Sequence, residues 1–192
     1  MTTATAVTRL NLGCGRNHLP DWINVDREPL DGVDVVADLE ARLPFEDDSV
    51  SEMLMSHVLE HIRDALGLMQ ELWRIAKPDA ILTVRCPYGS SDDAWEDPTH
   101  VRAMFLQSWG YFSQPFYHRA DYGYRGDWQP DVVQLVVGLE HIGTPNTEMF
   151  RQINSERNIV TEMIATLHKV SPIREPRREL RVLPIYRIVA HA

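Results

Sequence analysis

The sequence predicts an α/β fold, a doubly wound and mostly parallel sheet with its final strand antiparallel at one edge. Three observations carry that prediction. Short apolar runs end repeatedly in Gly or Asp, as inner strands do where they hand the chain to a ligand-facing turn. A helical periodicity of Leu59, Ile62, Leu66, Met69, Leu72 and Ile75 lies between two of those runs. Strand and helix therefore alternate, as a parallel sheet with crossover connections requires.

The elements follow in order. Arg9-Leu10-Asn11-Leu12 is a strand that stops at Gly13-Cys14-Gly15, and Trp22-Ile23-Asn24-Val25 is the next, closed by Asp26. Val33 to Leu39 is a third short strand and carries Asp38 near its end; Leu43 to Ser49 reads as a turn. Val50 to His57 is a strand, and the helix after it must stop at Lys77-Pro78-Asp79, since proline disfavours helix at the residue before it. Ala80 to Pro87 is the fifth strand. Asp97-Pro98-Thr99-His100 then reads as a helix start, with Asp97 as N-cap, Pro98 in the first turn, and Val101, Met104, Phe105 and Ser108 following. Gln134 to Gly138 is a candidate sixth strand, Asn146 to Val170 a helix, and Glu179 to Ala190 the last strand, which Pro184 marks as an edge or bulged one.

Gly13-Cys14-Gly15 and Asp26 together read as a nucleotide-type cofactor site. Glycines let backbone approach a ligand, and an acid at the end of the next strand can accept both hydroxyls of a ribose. A dinucleotide fingerprint is the weaker reading: His18 stands where its third glycine would be, and the acid comes too early. Taken singly, Asp26 and Asp38 are also ordinary turn formers, and Gly-x-Gly is common at strand-to-loop turns.

In ordered combination the motifs say more. Leu10 to Gly15, Asn24 to Asp26, Asp38-Leu39, Leu43-Pro44-Phe45, Ser56-His57-Val58-Leu59-Glu60-His61 and Arg74-Ile75-Ala76-Lys77-Pro78 resemble class I S-adenosylmethionine-dependent methyltransferases, nearest to the small type 11 branch. The resemblance runs to Pro87 and more weakly through Asp97 to Arg102. It implies a Rossmann-like sheet and a cofactor site drawn from Asn11, Gly13, Cys14, Gly15, Asp26, Asp38, Leu39, Ser56 and His57. Gly13, Cys14 and Gly15 would line the methionine part of S-adenosylmethionine, Asp26 would hold the ribose, and Asp38 with the Leu39 amide the adenine. Ser56 and His57 would lie near the methyl group. Two departures stand out. Only ten residues separate Gly15 from Asp26, so the first crossover must shrink to a turn, and the family's Pro-Gly-Gly is Pro78-Asp79-Ala80.

A length of 192 residues with 44% hydrophobic content gives one domain with a proper core. We divide it into a cofactor-binding half (1–88), an acceptor cap (89–130) and C-terminal strands and helix (131–192). Cys14 and Cys86 suggest neither a disulfide framework nor a zinc spacing, and Cys14 reads as small and buried. No signal-like or membrane-spanning run is evident, which points to a cytoplasmic protein without membrane partners. A net charge of −9 argues against nucleic acid. The basic end, Lys169, Arg174, Arg177, Arg178, Arg181 and Arg187, reads as a solvated edge before it reads as a contact for an anion or a second subunit. The long segment from Asn146 offers a pocket wall or a homodimer contact.

The acceptor should be decided in the second half. Phe105, Trp109, Tyr111, Phe112, Phe116, Tyr117, Tyr122, Tyr124 and Trp128 gather after the fifth strand, where an open parallel sheet binds ligands at its carboxyl edge. That segment reads as a cap over a small-molecule acceptor, with Tyr88, Asp97, His100, Tyr117, His118, Tyr122 and Tyr124 as substrate-binding candidates; Phe105, Trp109 and Phe112 fit plain core packing. His100, in the first turn of its expected helix, would feel the positive dipole end and stay neutral, which makes it the first candidate for a general base. His57 is the second. His61 reads as part of a solvated helix face. No metal is expected, because no ligand spacing links His57, His61 or His100 to Asp or Cys. The reading is methyl transfer to oxygen or nitrogen of a small molecule, with S-adenosylhomocysteine as coproduct. The alternatives are a non-methylating enzyme that uses the same cofactor and a module that binds it without turnover.

Overall fold

Eight strands join one sheet: β1 (Arg9–Leu12), β2 (Ile23–Asp26), β3 (Val35–Val36), β4 (Val50–Ser56), β5 (Ala76–Pro87), β6 (Trp128–Val137), β7 (Val160–Lys169) and β8 (Ile185–Ala190). The computed structural model describes residues 7–190. Strand order is β3-β2-β1-β4-β5-β7-β6-β8. The chain starts in the middle, winds outward to β3, then returns to β4 beside β1 and winds the other way, as the doubly wound expectation required. The carboxyl ends of β1 and β4, where the direction reverses, form the crevice in which such sheets bind ligands.

The predicted parallel pairings hold from β3 to β5. The antiparallel member is not the final strand. It is β7, which lies inside the sheet between β5 and β6, antiparallel to both. β8 is at the edge as expected but runs parallel to β6, because the chain leaves β7 at the amino edge and passes over to start β8 there. β7 also replaces the second half of the expected 146–170 helix. The helix α3 spans Asn146–Ser155 only, and Asn158, at φ 60°, turns the chain out of it. From Met163 onward the buried positions alternate as a half-buried strand requires.

Two more helices differ. The Leu59–Ile75 periodicity yields a 3₁₀ turn, Leu59–His61, and then α1, Ala65–Ile75, capped by the Asp64 carboxylate on the Gly67 amide. No helix starts at Asp97. A four-residue α2, Asp93–Glu96, ends there, and the Asp97 carboxylate accepts from the Thr99 amide and hydroxyl in a local turn. Tertiary contacts hold the next residues extended: Val101 donates to the Glu60 carbonyl, and Met104 bridges to Tyr88.

None of the first three crossovers contains a helix. Side chains do the work of helical hydrogen bonds. Asn24, buried, accepts from the Leu19 amide and donates to the Leu19 and Trp22 carbonyls and to Asp34. Asn11, also buried, donates to Asn24 and to the Asn17 carbonyl. Removing such a hub leaves several buried groups unpaired, each at about 1–3 kcal/mol. Asn24→Ala is therefore expected to lose at least about 2 kcal/mol in urea unfolding, far more than Asn154→Ala on exposed α3; equal losses would show that the network is ornamental.

Candidate functional site

The turn after β1 is built for close approach. Gly13 and Gly15 have φ of 64° and 51°, the left-handed region that glycine enters without strain. A Cβ on Gly13 would meet Val58 Cγ2 at 2.5 Å. The Gly15 amide donates to Asp26 Oδ2 at 2.7 Å and the Glu28 amide to Asp26 Oδ1 at 3.0 Å, which fixes the carboxylate at the end of β2. A carboxylate has about four acceptor positions, so lone pairs remain for a ligand. Asp38 is exposed and accepts from the Glu40 amide. Gly13, Asp26, Asp38, Leu39 and His57 line one cavity of about 230 Å³, with Arg27, Glu40, Val58, His61 and Ile62 completing it.

Of the expected cofactor residues, those five meet in the cavity. Asn11 does not line it and instead braces the turn from below. Cys14 is buried, its amide continues the pairing to Val25, and burial raises its thiol pKa, which leaves it unreactive. Ser56 ends β4 without lining the cavity.

His57 stands at the junction. Its φ of 55° turns the chain sharply at the tip of β4, an uncommon conformation for a residue with a side chain. The ring Nε2 lies 2.9 Å from Glu162 Oε1, and Nδ1 lies 3.4 Å from Glu60 Oε1. Glu162 also accepts from Arg85 Nη2 at 2.8 Å. The hydrogen bond to Glu162, and then the Glu60 carboxylate 3.4 Å away, raises the His57 pKa to about 9. Burial works against ionisation of Glu162, but the hydrogen bonds from His57 and Arg85 outweigh it and hold the carboxyl down at about 2. His57 is thus an imidazolium at neutral pH and not the base that the sequence nominated. On its other side lies a second cavity of about 290 Å³, lined by His57, Arg85, Pro87, Asp93, Thr161 and Glu162.

The aromatic segment does not cap that cleft. It runs from the carboxyl end of β5 to the amino end of β6 beside α1, where Trp128 Nε1 donates to the Met69 carbonyl and the Arg125 amide to Gln70. Tyr124 is core, its hydroxyl on the Phe112 carbonyl. Tyr117, His118 and Tyr122 line a separate cavity of about 310 Å³ with Arg178 and Arg181. Tyr88 is buried against Phe105. Asp97 is exposed and bound to Thr99. His100 does not open a helix: its amide closes a turn on the Asp97 carbonyl, and its Nδ1 faces the Ala94 carbonyl at 3.1 Å. Much of the basic end is engaged: Lys169 on Asp48, Arg174 on Asp127, and the Arg181 guanidinium 3.9 Å over Phe116.

Sequence reading missed Arg85, Thr161 and Glu162. Glu162 was hidden because its strand was read as helix. Arg85 left a trace, a single charge in the apolar run Ile81 to Cys86, next to the strand's carboxyl end. Among the described residues no helix is long and apolar enough to cross a membrane.

Residues 10–84 match the sequence model of a family described as a methyltransferase domain. Solved structures share the fold. An S-adenosylmethionine-dependent methyltransferase of Archaeoglobus fulgidus is 18% identical with a TM-score of 0.61, over 86% of this chain and 87% of that one. The YcgJ protein of Bacillus subtilis is 17% identical with a TM-score of 0.56, over 86% and 92%. The [4+2]-cyclase SpnF is 12% identical with a TM-score of 0.52, over 85% and 74%. No curated protein is significantly similar by sequence.

The His57 and Glu162 shifts have opposite signs and opposite windows. Stability from protonated His57 is complete below its ordinary 6.5 and is lost as pH rises through about 9; stability from ionised Glu162 is complete above its ordinary 4.5 and is lost as pH falls through about 2. In Glu162→Gln the His57 pKa, followed by NMR titration of its ring protons, should drop by more than one unit toward 6.5. An unchanged titration would remove Glu162 as the group that holds this proton.

Proposed function

We propose that this chain is an S-adenosylmethionine-dependent methyltransferase that methylates an oxygen or nitrogen of a small-molecule acceptor: residues 10–84 match a methyltransferase-domain model, and the fold is shared with an S-adenosylmethionine-dependent methyltransferase of Archaeoglobus fulgidus. One observation carries the reading. His57 is the wall shared by two cavities, one made by Gly13, Asp26 and Asp38 and the other by Arg85, Thr161 and Glu162. Two cavities that border one side chain can seat two ligands as neighbours, and transfer then requires the reacting atoms to meet in line past the edge of the His57 ring at about 3–3.5 Å.

The first cavity fits the cofactor. Gly13 leaves the space that a Cβ would fill, Asp26 has lone pairs for the ribose hydroxyls, and Asp38 can accept from an adenine amino group. When bound, S-adenosylmethionine supplies a methyl group already activated by positive sulfur. The protein's task is alignment and exclusion of water. Arg85 and Glu162 offer a donor and an acceptor to the second ligand, so the acceptor is polar and hydrogen-bonding; no Phe, Tyr or Trp is among the residues that line the cleft. His57, already protonated, orients and cannot take the acceptor's proton. His100 lines neither cavity, and the Ala94 carbonyl, which can only accept, fixes its proton on Nδ1, so we assign it no proton from the acceptor.

Hydrogen bonds to charged groups contribute about 1.5–3 kcal/mol, or roughly 10–150-fold in affinity. Calorimetric binding of S-adenosylhomocysteine should therefore weaken at least about tenfold in Asp26→Ala and measurably in Asp38→Ala, whose side chain holds only a local turn. Absence of binding to the wild type would sink the reading. Mass spectrometry of turnover should show a methylated acceptor with S-adenosylhomocysteine; methylthioadenosine instead would mean that another group of the cofactor is used.

A further inference from the structure

Four acidic or basic side chains are buried among the described residues: Glu60, Asp127, Glu162 and Lys169. Three are compensated. Asp127 holds Arg174 at 2.8 Å, Lys169 holds Asp48 at 2.6 Å, and Glu162 holds Arg85 and His57. Glu60 is 2% exposed, yet neither of its carboxylate oxygens accepts a hydrogen bond. The protonated His57 ring, its Nδ1 at 3.4 Å, is an ionic neighbour of one of them but lacks hydrogen-bond geometry, so the lone pairs of both oxygens stay open. A buried carboxylate left this way costs several kcal/mol unless something else meets it.

What else stands there is a pair of imidazoles. One donor atom from each of Glu60, His61 and His100 lies within 4.8 Å of the others, and the two rings meet edge to face at 4.6 Å. Both rings are prepared. His100 Nδ1 donates to the Ala94 carbonyl. Thr99 Oγ1 gives its proton to Asp97 at 2.6 Å, so it accepts from His61 Nδ1 at 2.9 Å. Each ring then carries its proton on Nδ1 and an open lone pair on Nε2, the outer-shell pattern of metal-bound histidine. The two segments are also stapled together, by the Val101 amide on the Glu60 carbonyl and by Arg102 on the Ile62 and Arg63 carbonyls.

We propose that Glu60, His61 and His100 bind a divalent transition-metal ion of the zinc type, with the carboxylate and two Nε2 atoms as ligands. Ligands at about 2.0–2.2 Å around a tetrahedral ion stand roughly 3.4 Å apart, so small side-chain adjustments close the site. Three protein ligands leave a fourth position open to water or to a ligand heteroatom. Of the three ligands, His61 also lines the cavity of Gly13, Asp26 and Asp38. The site rests on no assumption about methyl transfer.

The test is zinc binding by calorimetry to protein freed of metal by chelation, with cobalt as the spectroscopic probe. Expected are one equivalent of Zn²⁺, visible d–d absorption of tetrahedral Co²⁺, loss of both in His61→Ala/His100→Ala, and about 10–100-fold weaker binding in Thr99→Ala, where only an orienting contact is removed. Glu60→Gln keeps the shape and should weaken binding at least tenfold, which guards against a folding defect in the double variant. No zinc binding by the wild type, or undiminished binding in both Glu60→Gln and the double variant, overturns the proposal. So does a His100→Ala variant that loses turnover while the wild type holds no metal, since His100 would then be a base. S-adenosylhomocysteine binding on the same samples separates the two readings: a protein that binds it but not zinc keeps the function and loses the metal site.

Discussion

Backbone amides and carbonyls in crossovers without helices must find partners elsewhere, and most of this structure's first half answers that constraint. A helix satisfies its own polar groups; a ten-residue loop between parallel strands does not. Asn11, Asn24, Asp26 and Asp34 supply the missing partners. Asp26 is therefore held by the fold before any ligand arrives. A carboxylate pinned between the Gly15 and Glu28 amides pays little entropy to accept further bonds, and its place at the strand end is set by the loop's needs.

The second constraint comes from β7. Only an antiparallel strand beside β5 brings a residue from its beginning, Glu162, to the carboxyl edge where β4 and β5 end. There it meets His57 and Arg85. Hydrogen bonds among these three groups fix the orientation of the His57 ring at the edge that both cavities share. A neutral His57 would lose its strongest partner's attraction, while its amide on the Arg85 carbonyl would still hold the turn at the tip of β4.

Legibility in the sequence followed locality. Strands β1, β2 and β4 and helix α1 were readable because each carries its own apolar period, and Gly13, Asp26, Asp38, Leu39 and His57 converge as their order implied. What failed was decided at a distance. Asp97-Pro98 has every local mark of a helix start, but Glu60 and Tyr88 take the backbone that the helix needs. Ile159, Met163, Ile164 and Leu167 fit a helical stripe as well as a strand, and pairing with both β5 and β6 chose the strand. The Glu60, His61 and His100 cluster was invisible for the same reason: one member comes from a loop 39 residues from its neighbour.

The aromatic concentration between Phe105 and Trp128 has a physical explanation that needs no acceptor. The β5 to β6 crossover must cover a face of the sheet, and its longest α-helix has only four residues. Without a helix to present a regular apolar stripe, burial has to come from a few large side chains, and aromatic ones bury about 150–250 Å² each. Trp109, Phe112, Tyr117, Tyr124 and Trp128 all belong to the core. Their polar ends then need partners, and backbone provides them: Tyr117 on the Tyr111 carbonyl, Tyr124 on that of Phe112, Trp128 on that of Met69. Aromatic mass thus does the work of a crossover helix, and the cleft beside His57 is left to Arg85, Asp93, Thr161 and Glu162. Were that cleft to hold the proposed acceptor, hydrogen bonds to these polar groups would discriminate far more sharply than a hydrophobic slot discriminates by size.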